Sequence, residues 1–297
     1  RYLSLCNYLK EKHQINVKDI LPEENKPFSK IFFPDKREFH LSDLLNLETK
    51  KLFAAALVAQ LEADEIIEEY LDDFSFPSDT SRKVSKVALL NYTGAAIIMP
   101  YEIFFHECVK KHRYDLELLQ STFAVSFEQV CHRVTCLNSP DPKLRGIPLH
   151  MIRVDRSGNV SKRFSLSGIE LPRLSGACPK WNVYSAFSNP GKISAAVSKM
   201  TDGEKYVCIA RTVEKGVSKY GEEKGLLSIG LGCQIKYAKD FVYADGLNLN
   251  DEKSESKIGV SCRKCDRLDC GQRAFPPDTQ NYDVNINQRG VSIFVNG

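Results

Sequence analysis

Three cysteines fall within nine residues, in the run Cys262-Arg-Lys-Cys265-Asp-Arg-Leu-Asp-Cys270. Two thiolates with two residues between them can reach one metal centre, because a tight turn brings both sulfurs to the same side, and a third five residues later can close a set of three. Arg263, Lys264 and Arg267 favour the thiolate form and offset the negative charge of a thiolate-ligated centre. Three local ligands suit a [4Fe–4S] cluster with a remote or exchangeable fourth ligand, or a zinc site completed by a distant Cys or His. A fourth ligand could be Cys233, in Gly230-Leu-Gly-Cys233, or Cys178, in Gly176-Ala-Cys178-Pro179, and the spacing alone does not choose between them. The remaining cysteines of the ten are scattered singly through apolar segments and read as small core residues rather than a disulfide framework.

The second constellation is basic. Arg153, Arg156, Lys162 and Arg163 surround a hairpin-like loop, Asp155-Arg-Ser-Gly-Asn159, and Arg173, Lys180 and Arg211 are possible additions. Guanidinium forks and ammonium point charges suit the phosphates of a nucleotide, coenzyme A or nucleic acid, and a solvated, salt-bridged hairpin is the plain alternative. Strand alternation puts Arg153 and Asp155 on one face, which limits how many of these groups one ligand can touch. Two other patterns carry less. His106-Glu107 invites a zinc-peptidase reading, yet position 110 is Lys and His112 lies six residues on, on the other side of a helix from His106. Leu118–Arg133 resembles a short helix-turn-helix, but no basic series follows it to grip phosphates, and it reads as architecture.

The elements that must position these groups change character near the middle of the chain. Apolar residues at Leu52, Ala56, Ala59, Ile66, Ile67 and Leu71 set against Glu62, Asp64, Glu65, Glu68 and Glu69 predict helix over 47–74. Further helices are expected over 81–99, 102–113, 115–123 and, capped by Ser126, 127–137. After Asn138-Ser-Pro-Asp-Pro142 the pattern turns to strands at 150–154, 160–164, 206–213, 226–231 and 291–295, with helical pieces at 183–187 and 193–200. Two domains are therefore expected, 1–140 helical and 141–297 α+β. The 41 basic against 38 acidic residues leave a charge of only +3, so any affinity for polyanions must be local. No stretch has the 18 or so apolar residues of a membrane span. The start at Arg1, without Met and running straight into an amphipathic pattern, reads as that of a fragment.

Several stretches match one family in order and spacing: Gly94–Tyr101, Phe123–Arg133, Ile152–Phe164, Cys178–Val183, Val242–Gly246 and Cys262–Pro276. On these the chain resembles the short-chain fatty acyl transcriptional regulators, bacterial proteins that include regulators of propionate catabolism through the methylcitrate cycle and of glyoxylate-bypass genes. The resemblance implies an α+β protein, with an N-terminal helical ImmA/IrrE-like pseudo-peptidase domain followed by an antiparallel-sheet sensor domain carrying a Cys-rich metal loop. It implies an upstream helix-turn-helix domain outside this chain, DNA as a partner, a homodimer, and a cytoplasmic location. In the ImmA/IrrE metallopeptidases a zinc helix follows an Arg/Lys-x-Phe stretch; here Lys51-Leu-Phe53 continues Ala54-Ala-Ala-Leu-Val-Ala-Gln-Leu61, with neither His nor Glu. Without imidazoles there is no zinc, and without the carboxylate no general base, so no enzyme is expected. The family also implies a short-chain acyl-coenzyme A effector and, in one branch, a [4Fe–4S] cluster on Cys233, Cys262, Cys265 and Cys270. The coenzyme's phosphates then fall to Arg153, Arg156, Lys162, Arg163 and Arg211, with Trp181 or Tyr184 against the adenine or the acyl chain. The rival readings are an active metal-dependent peptidase, an acyl-coenzyme A enzyme with Cys178 as nucleophile, and an acyl-coenzyme A regulator whose cysteine run holds structural zinc.

Overall fold

The computed structural model describes residues 2–23, 27–173, 176–216, 221, 225–278, 286–287 and 290–294. Two compact units result, and they do not divide at a single point of the sequence. The first is built from Arg1–Phe104 and Glu117–Arg133, the second from Phe105–Leu116, Val134–Lys215 and the chain from Gly225 onward. The short piece 105–116 belongs to the second unit for a local reason. Tyr114 is fully buried there with its ring 6.2 Å from Phe241, and its hydroxyl accepts a hydrogen bond from the Ile147 N–H at 2.7 Å. Beside it, Arg113 holds the Asp245 carboxylate with both terminal nitrogens, at 2.9 and 2.8 Å.

The first unit opens with helix α1 (Tyr2–His13) and a three-stranded sheet of β1 (Asn16–Ile20), β2 (Lys30–Phe33) and β3 (Glu38–Ser42), in the order β1-β3-β2. This sheet lies where the sequence offers no strand signal. Its strands are four or five residues long, and only β3, with Phe39 and Leu41 inward, shows an alternation of buried and open positions. Helix α2 (Leu47–Glu62), whose N-terminal Thr49 N–H is capped by the Asn46 side chain, runs through the middle. It is apolar on every side along Ala54–Ala59 because neighbours surround it: Leu9, Ile15, Phe39 and Leu41 on one flank, and helix α4 (Asp79–Ile98) on another. The expected 47–74 helix breaks at Ala63, and α3 (Asp64–Asp72) follows, burying Ile67 and Leu71. Helix α4 begins at a Ser78/Ser81 capping box and approaches α2 so closely at Gly94 that a β-carbon there would lie 2.8 Å from the Ala56 nitrogen. After α5 (Tyr101–Phe105), α6 (Leu116–Phe123) and α7 (Phe127–Thr135) form the helical hairpin read from sequence as architecture. Ser126 caps α7 as expected: its Oγ accepts from the Gln129 N–H, and its own N–H donates to the Gln129 side chain.

The second unit is a six-stranded sheet of β4 (Leu149–Asp155), β5 (Val160–Ser165), β6 (Ser194–Lys199), β7 (Lys205–Lys215), β8 (Gly225–Gln234) and β9 (Ser256–Lys257), ordered β5-β4-β8-β7-β6-β9. All neighbours are antiparallel except β6 and β9. The β4–β5 hairpin closes as expected, with Gly158 in the left-handed region and the Asp155 carboxylate accepting from the Ser157 and Asn159 N–H groups. These bonds hold Asp155 below the usual carboxylate range, the Asn159 side chain contributing most. Residues 193–200 are not helical. Ser194–Lys199 pairs with β7 over its whole length, because a strand with an open neighbour outweighs the weak helix preference of Ala195 and Ala196. The strand expected at 291–295 does not form over the described residues 291–294, and Val295 lies outside them.

One sheet face carries a core of Ile152, Val154, Trp181, Val183, Cys208 and Ala210, closed by Ile258 and Val260. Short helix α8 (Asn182–Ser185) sits on it because β8 offers glycines there: a β-carbon at Gly230 would lie 2.4 Å from Val183, and one at Gly232 would lie 2.7 Å from the His150 ring. His150 is wholly buried, with Nδ1 2.9 Å from Ser167 Oγ and Nε2 3.7 Å from Cys208 Sγ. Burial pushes its pKa down to about 3, so the imidazole is neutral.

Candidate functional site

The first unit carries a cavity of about 630 Å³ that is open on one side, lined mainly by Leu5, Val58, Ile97, Ile98, Ile103 and Phe123, with Lys51, Tyr8 and Glu62 as its chief polar groups. Helix α2 supplies Lys51, Val58 and Glu62 at a spacing of seven and four residues, which is one face of a helix. The Lys51 ammonium is buried and donates to the carbonyls of Phe123, at 2.8 Å, and Ala124, at 2.5 Å. It thereby caps the C-terminal end of α6, where Ala124 adopts a left-handed conformation and the helix dipole is negative. Glu62 is claimed by the Tyr8 hydroxyl at 2.7 Å, by His13 at 2.8 Å and by Lys12 at 3.0 Å. These contacts, led by His13, hold its carboxyl down to about 2. A volume of this size fits a small-molecule site, with apolar walls to bury an acyl group and a few polar groups to orient it.

Nothing in this cavity can run peptidase chemistry. The segment that follows Lys51-Leu-Phe53 presents Val58 to it, no imidazole lines it, and its one carboxylate is already spent on three donors. His106 is no substitute. It opens a π-helical turn, His106–Lys111, in the other unit, and among the described residues no three His, Cys, Asp or Glu side chains stand at metal-holding distances.

The cysteine run folds back on the second unit's core. Cys262, Cys265 and Cys270 line a pinched cavity of about 10 Å³ together with Ser261, Arg273, Pro179 and Cys178. Of the two candidates for a fourth cysteine, Cys178 lines this cavity and Cys233, which the resemblance favours, does not. Cys233 lies in the interior of β8, paired with Leu149 and Val207. Strand alternation points it away from the face that Gly230 and Gly232 open to α8 and His150. Its thiol is fully buried, and burial pushes its pKa up to about 12, the mark of an inert core cysteine. The Gly-Leu-Gly context that suggested a turn is a strand thinned for packing. Cys178 accepts from the backbone N–H groups of Gly259 and Lys180, yet burial still raises its pKa, which argues against a catalytic nucleophile at neutral pH.

The seven residues assigned to coenzyme A do not form one site. Lys162 pairs with Arg153, Arg153 with Ile229, and Ile229 with Arg211, so Lys162, Arg153 and Arg211 share one sheet face in a single row. Arg163 pairs with Ile152 and belongs to the opposite face, where its guanidinium donates to the Arg173 carbonyl at 3.1 Å. Trp181 is 2 % exposed, packed 6.0 Å from the His150 ring in the core on that face. Tyr184 is half-buried beside it, donating to the Ala177 carbonyl, and Arg156 sits exposed in the hairpin loop. Sequence reasoning missed Lys51 and Arg273. Lys51 looked like the charged flank of an apolar helix, and Arg273 had one available signal, its place three residues after Cys270.

Comparison with known proteins settles the family. The model of the short-chain fatty acyl coenzyme A regulator C-terminal region matches residues 139–294, and that of the IrrE N-terminal-like domain matches residues 12–135. The chain belongs to the short-chain fatty acyl-coenzyme A regulator family. It is 40 % identical over 243 residues to the HTH-type transcriptional regulator RamB of Mycobacterium tuberculosis, covering 81 % of this chain and 51 % of that protein. It is 38 % identical over 234 residues to the propionyl-CoA carboxylase regulator of Cereibacter sphaeroides, covering 79 % and 50 %. The chain thus spans about half the length of these relatives. A solved Mycobacterium tuberculosis transcriptional regulator superposes with a TM-score of 0.90 at 30 % identity, over 99 % of this chain and 88 % of that one.

Proposed function

We propose that this chain is the effector-binding part of a transcriptional regulator of short-chain fatty acid and propionate metabolism, and that its effector is a short-chain acyl-coenzyme A. The apolar cavity of the first unit carries the reading: it has the volume for an acyl-pantetheine arm, and the helix that in a peptidase would hold zinc instead contributes Val58 to its wall. The family and the name of the Cereibacter relative supply the metabolic context. DNA binding, through a helix-turn-helix domain outside this chain, homodimerisation and a cytoplasmic location are part of the same proposal. The effector would act by binding one arrangement of the regulator better than another, and it can shift the balance only by that difference in affinity. No catalytic step is assigned to the chain.

The second element is a [4Fe–4S] cluster, or alternatively zinc, held by Cys178, Cys262, Cys265 and Cys270. The donor types suit such a centre, although as folded here no three of the described side chains stand at metal-holding distances: four thiols from two chain segments line one cavity, backbone N–H groups face the Cys178 sulfur, and a buried guanidinium lies alongside. Such a centre would supply a structural clasp and, if iron–sulfur, one-electron redox chemistry.

The deciding experiment is calorimetric titration of the chain with propionyl-coenzyme A, free coenzyme A and propionate, repeated with Val58→Trp and Ile97→Trp. The thioester is expected to bind tightest, and both variants to lose at least about tenfold in affinity, about 1.4 kcal/mol. Equal affinity for coenzyme A and its thioester, or variants that bind like wild type, would remove the cavity from the account.

A further inference from the structure

Arg273 is a buried cation with no carboxylate partner among the described residues, as is Arg133 in the first unit. Arg273 is 6 % exposed and lines the cysteine cavity. Its terminal nitrogens are spent on main-chain carbonyls: Nη1 donates to Cys262, at 2.8 Å, and Phe275, at 3.3 Å, and Nη2 to Cys265, at 2.7 Å, and Arg267, at 2.6 Å. Four acceptors from one loop converge on one guanidinium, and two of them are the carbonyls of cysteines in the run. The remaining donor, Nε–H, is buried without a partner. Neighbouring Arg267 differs: it is partly exposed and donates outward to the carbonyls of Lys199 and Met200, tying the loop to the end of β6.

Burying a guanidinium on carbonyl dipoles alone is costly unless a negative charge comes to compensate it. Among the described residues that line the cavity, the four cysteines are the groups able to supply that charge, and a metal centre ligated by four thiolates is anionic. We infer that Arg273 is a positioning residue for the cysteine cavity, with two separable roles. Its planar fork sets the loop backbone so that Cys262 and Cys265 face Cys178, and its charge balances an anionic thiolate–metal centre. Lysine could keep the second role but not the first, since a compact ammonium cannot reproduce four donors in one plane. The charge-balancing role rests on the metal reading above; the backbone role does not.

The test uses the whole chain, stripped of metal, as wild type, Arg273→Met and Arg273→Lys, with two readouts. Hydrogen exchange across 258–276 reads the backbone clamp without metal, and competitive chelator titration with Zn(II) reads affinity of the thiol set. The clamp predicts faster exchange in both variants, by about tenfold or more. Charge balance predicts that Arg273→Met weakens Zn(II) by about 10–100-fold, the usual effect of losing a partner beyond the ligands themselves, and that Arg273→Lys recovers most of it. Wild-type exchange rates in Arg273→Met would overturn the clamp. Equal Zn(II) affinities in the Met and Lys variants would overturn the charge role. A wild-type chain that holds neither Zn(II) nor iron overturns the charge role together with the metal reading, and the exchange result then stands alone.

Discussion

Gly94 gives the sharpest handle on how the first unit makes its cavity. In an ordinary helix interior, replacing Gly by Ala stabilises by about 0.5–1 kcal/mol, because glycine loses more freedom on folding. Here the added methyl would lie 2.8 Å from the Ala56 nitrogen, 3.0 Å from the Ala56 Cα and 3.2 Å from the Ala55 carbonyl carbon, all main-chain atoms of α2. Main chain inside a helix cannot swing aside as a side chain can. Comfortable carbon contacts need about 3.5–4.0 Å, so α2 and α4 must part locally by roughly 0.5–1 Å. Overpacking of that kind costs about 1–3 kcal/mol, which exceeds the propensity gain. Gly94→Ala should therefore destabilise by about 0.5–2 kcal/mol and lower Tm by a few degrees, at about 2–4 °C per kcal/mol for a unit of this size. Because α2 contributes Lys51, Val58 and Glu62 to the cavity and α4 contributes Ile97 and Ile98, propionyl-coenzyme A binding should weaken as well. Differential scanning calorimetry with and without ligand reads both effects. A rise in Tm, as for a glycine in open helix, would refute the close-approach argument.

Three further outcomes follow from the same geometry. Cys178→Ser should lose bound iron or zinc as completely as Cys265→Ser, whereas Cys233→Ser should keep its metal and lose about 1–3 kcal/mol of stability to a buried hydroxyl, as metal analysis and urea unfolding would report. If the acyl end is buried, propionyl-coenzyme A should bind about fourfold tighter than the acetyl thioester, at about 0.8 kcal/mol per methylene; equal constants by calorimetry would place that end in solvent. His150 has a folded pKa depressed from 6.5 to about 3, so the unfolded chain takes up its proton first as pH falls. The stability it contributes is complete above pH 6.5 and is lost progressively toward about 3. Between pH 7 and 4, wild type should lose roughly 3 kcal/mol more than His150→Gln in urea unfolding, and parallel curves would contradict it.

The sequence was readable where local chemistry decides structure. The Ser126 cap, the Asp155–Gly158 hairpin and helix α4 follow from capping, turn and periodicity signals, and they stand close to where those signals put them. What was not legible depends on neighbours distant in the chain. The Asn16–Ser42 sheet consists of short strands with few inward apolar residues, so pairing rather than pattern defines it. Ser194–Lys199 becomes a strand because β7 is there to pair with. At the candidate sites, the cysteine run announced its own chemistry, yet its companion could not be chosen between Cys178 and Cys233, since only the fold tells a core strand from a loop that meets the run. The basic residues near the hairpin looked like one patch because they are close in sequence, and the pleat then divided them between two faces. The cavity had no motif at all: Val58, which α2 contributes to its wall, stands in an alanine-rich segment, 54–61, that carries neither His nor Glu.

The central claim is that a short-chain acyl-coenzyme A seats its acyl arm in the first unit's cavity. Hydrogen exchange of the whole chain with and without saturating propionyl-coenzyme A tests it most directly, because it locates the ligand without presuming any residue. The account predicts slowed exchange in α2 across 51–62 and at the end of α4 with the turn beyond it, 94–103, and no comparable change in the β4–β5 hairpin. Protection confined to 153–164, with 51–62 unchanged, would contradict it and return the effector to the sheet.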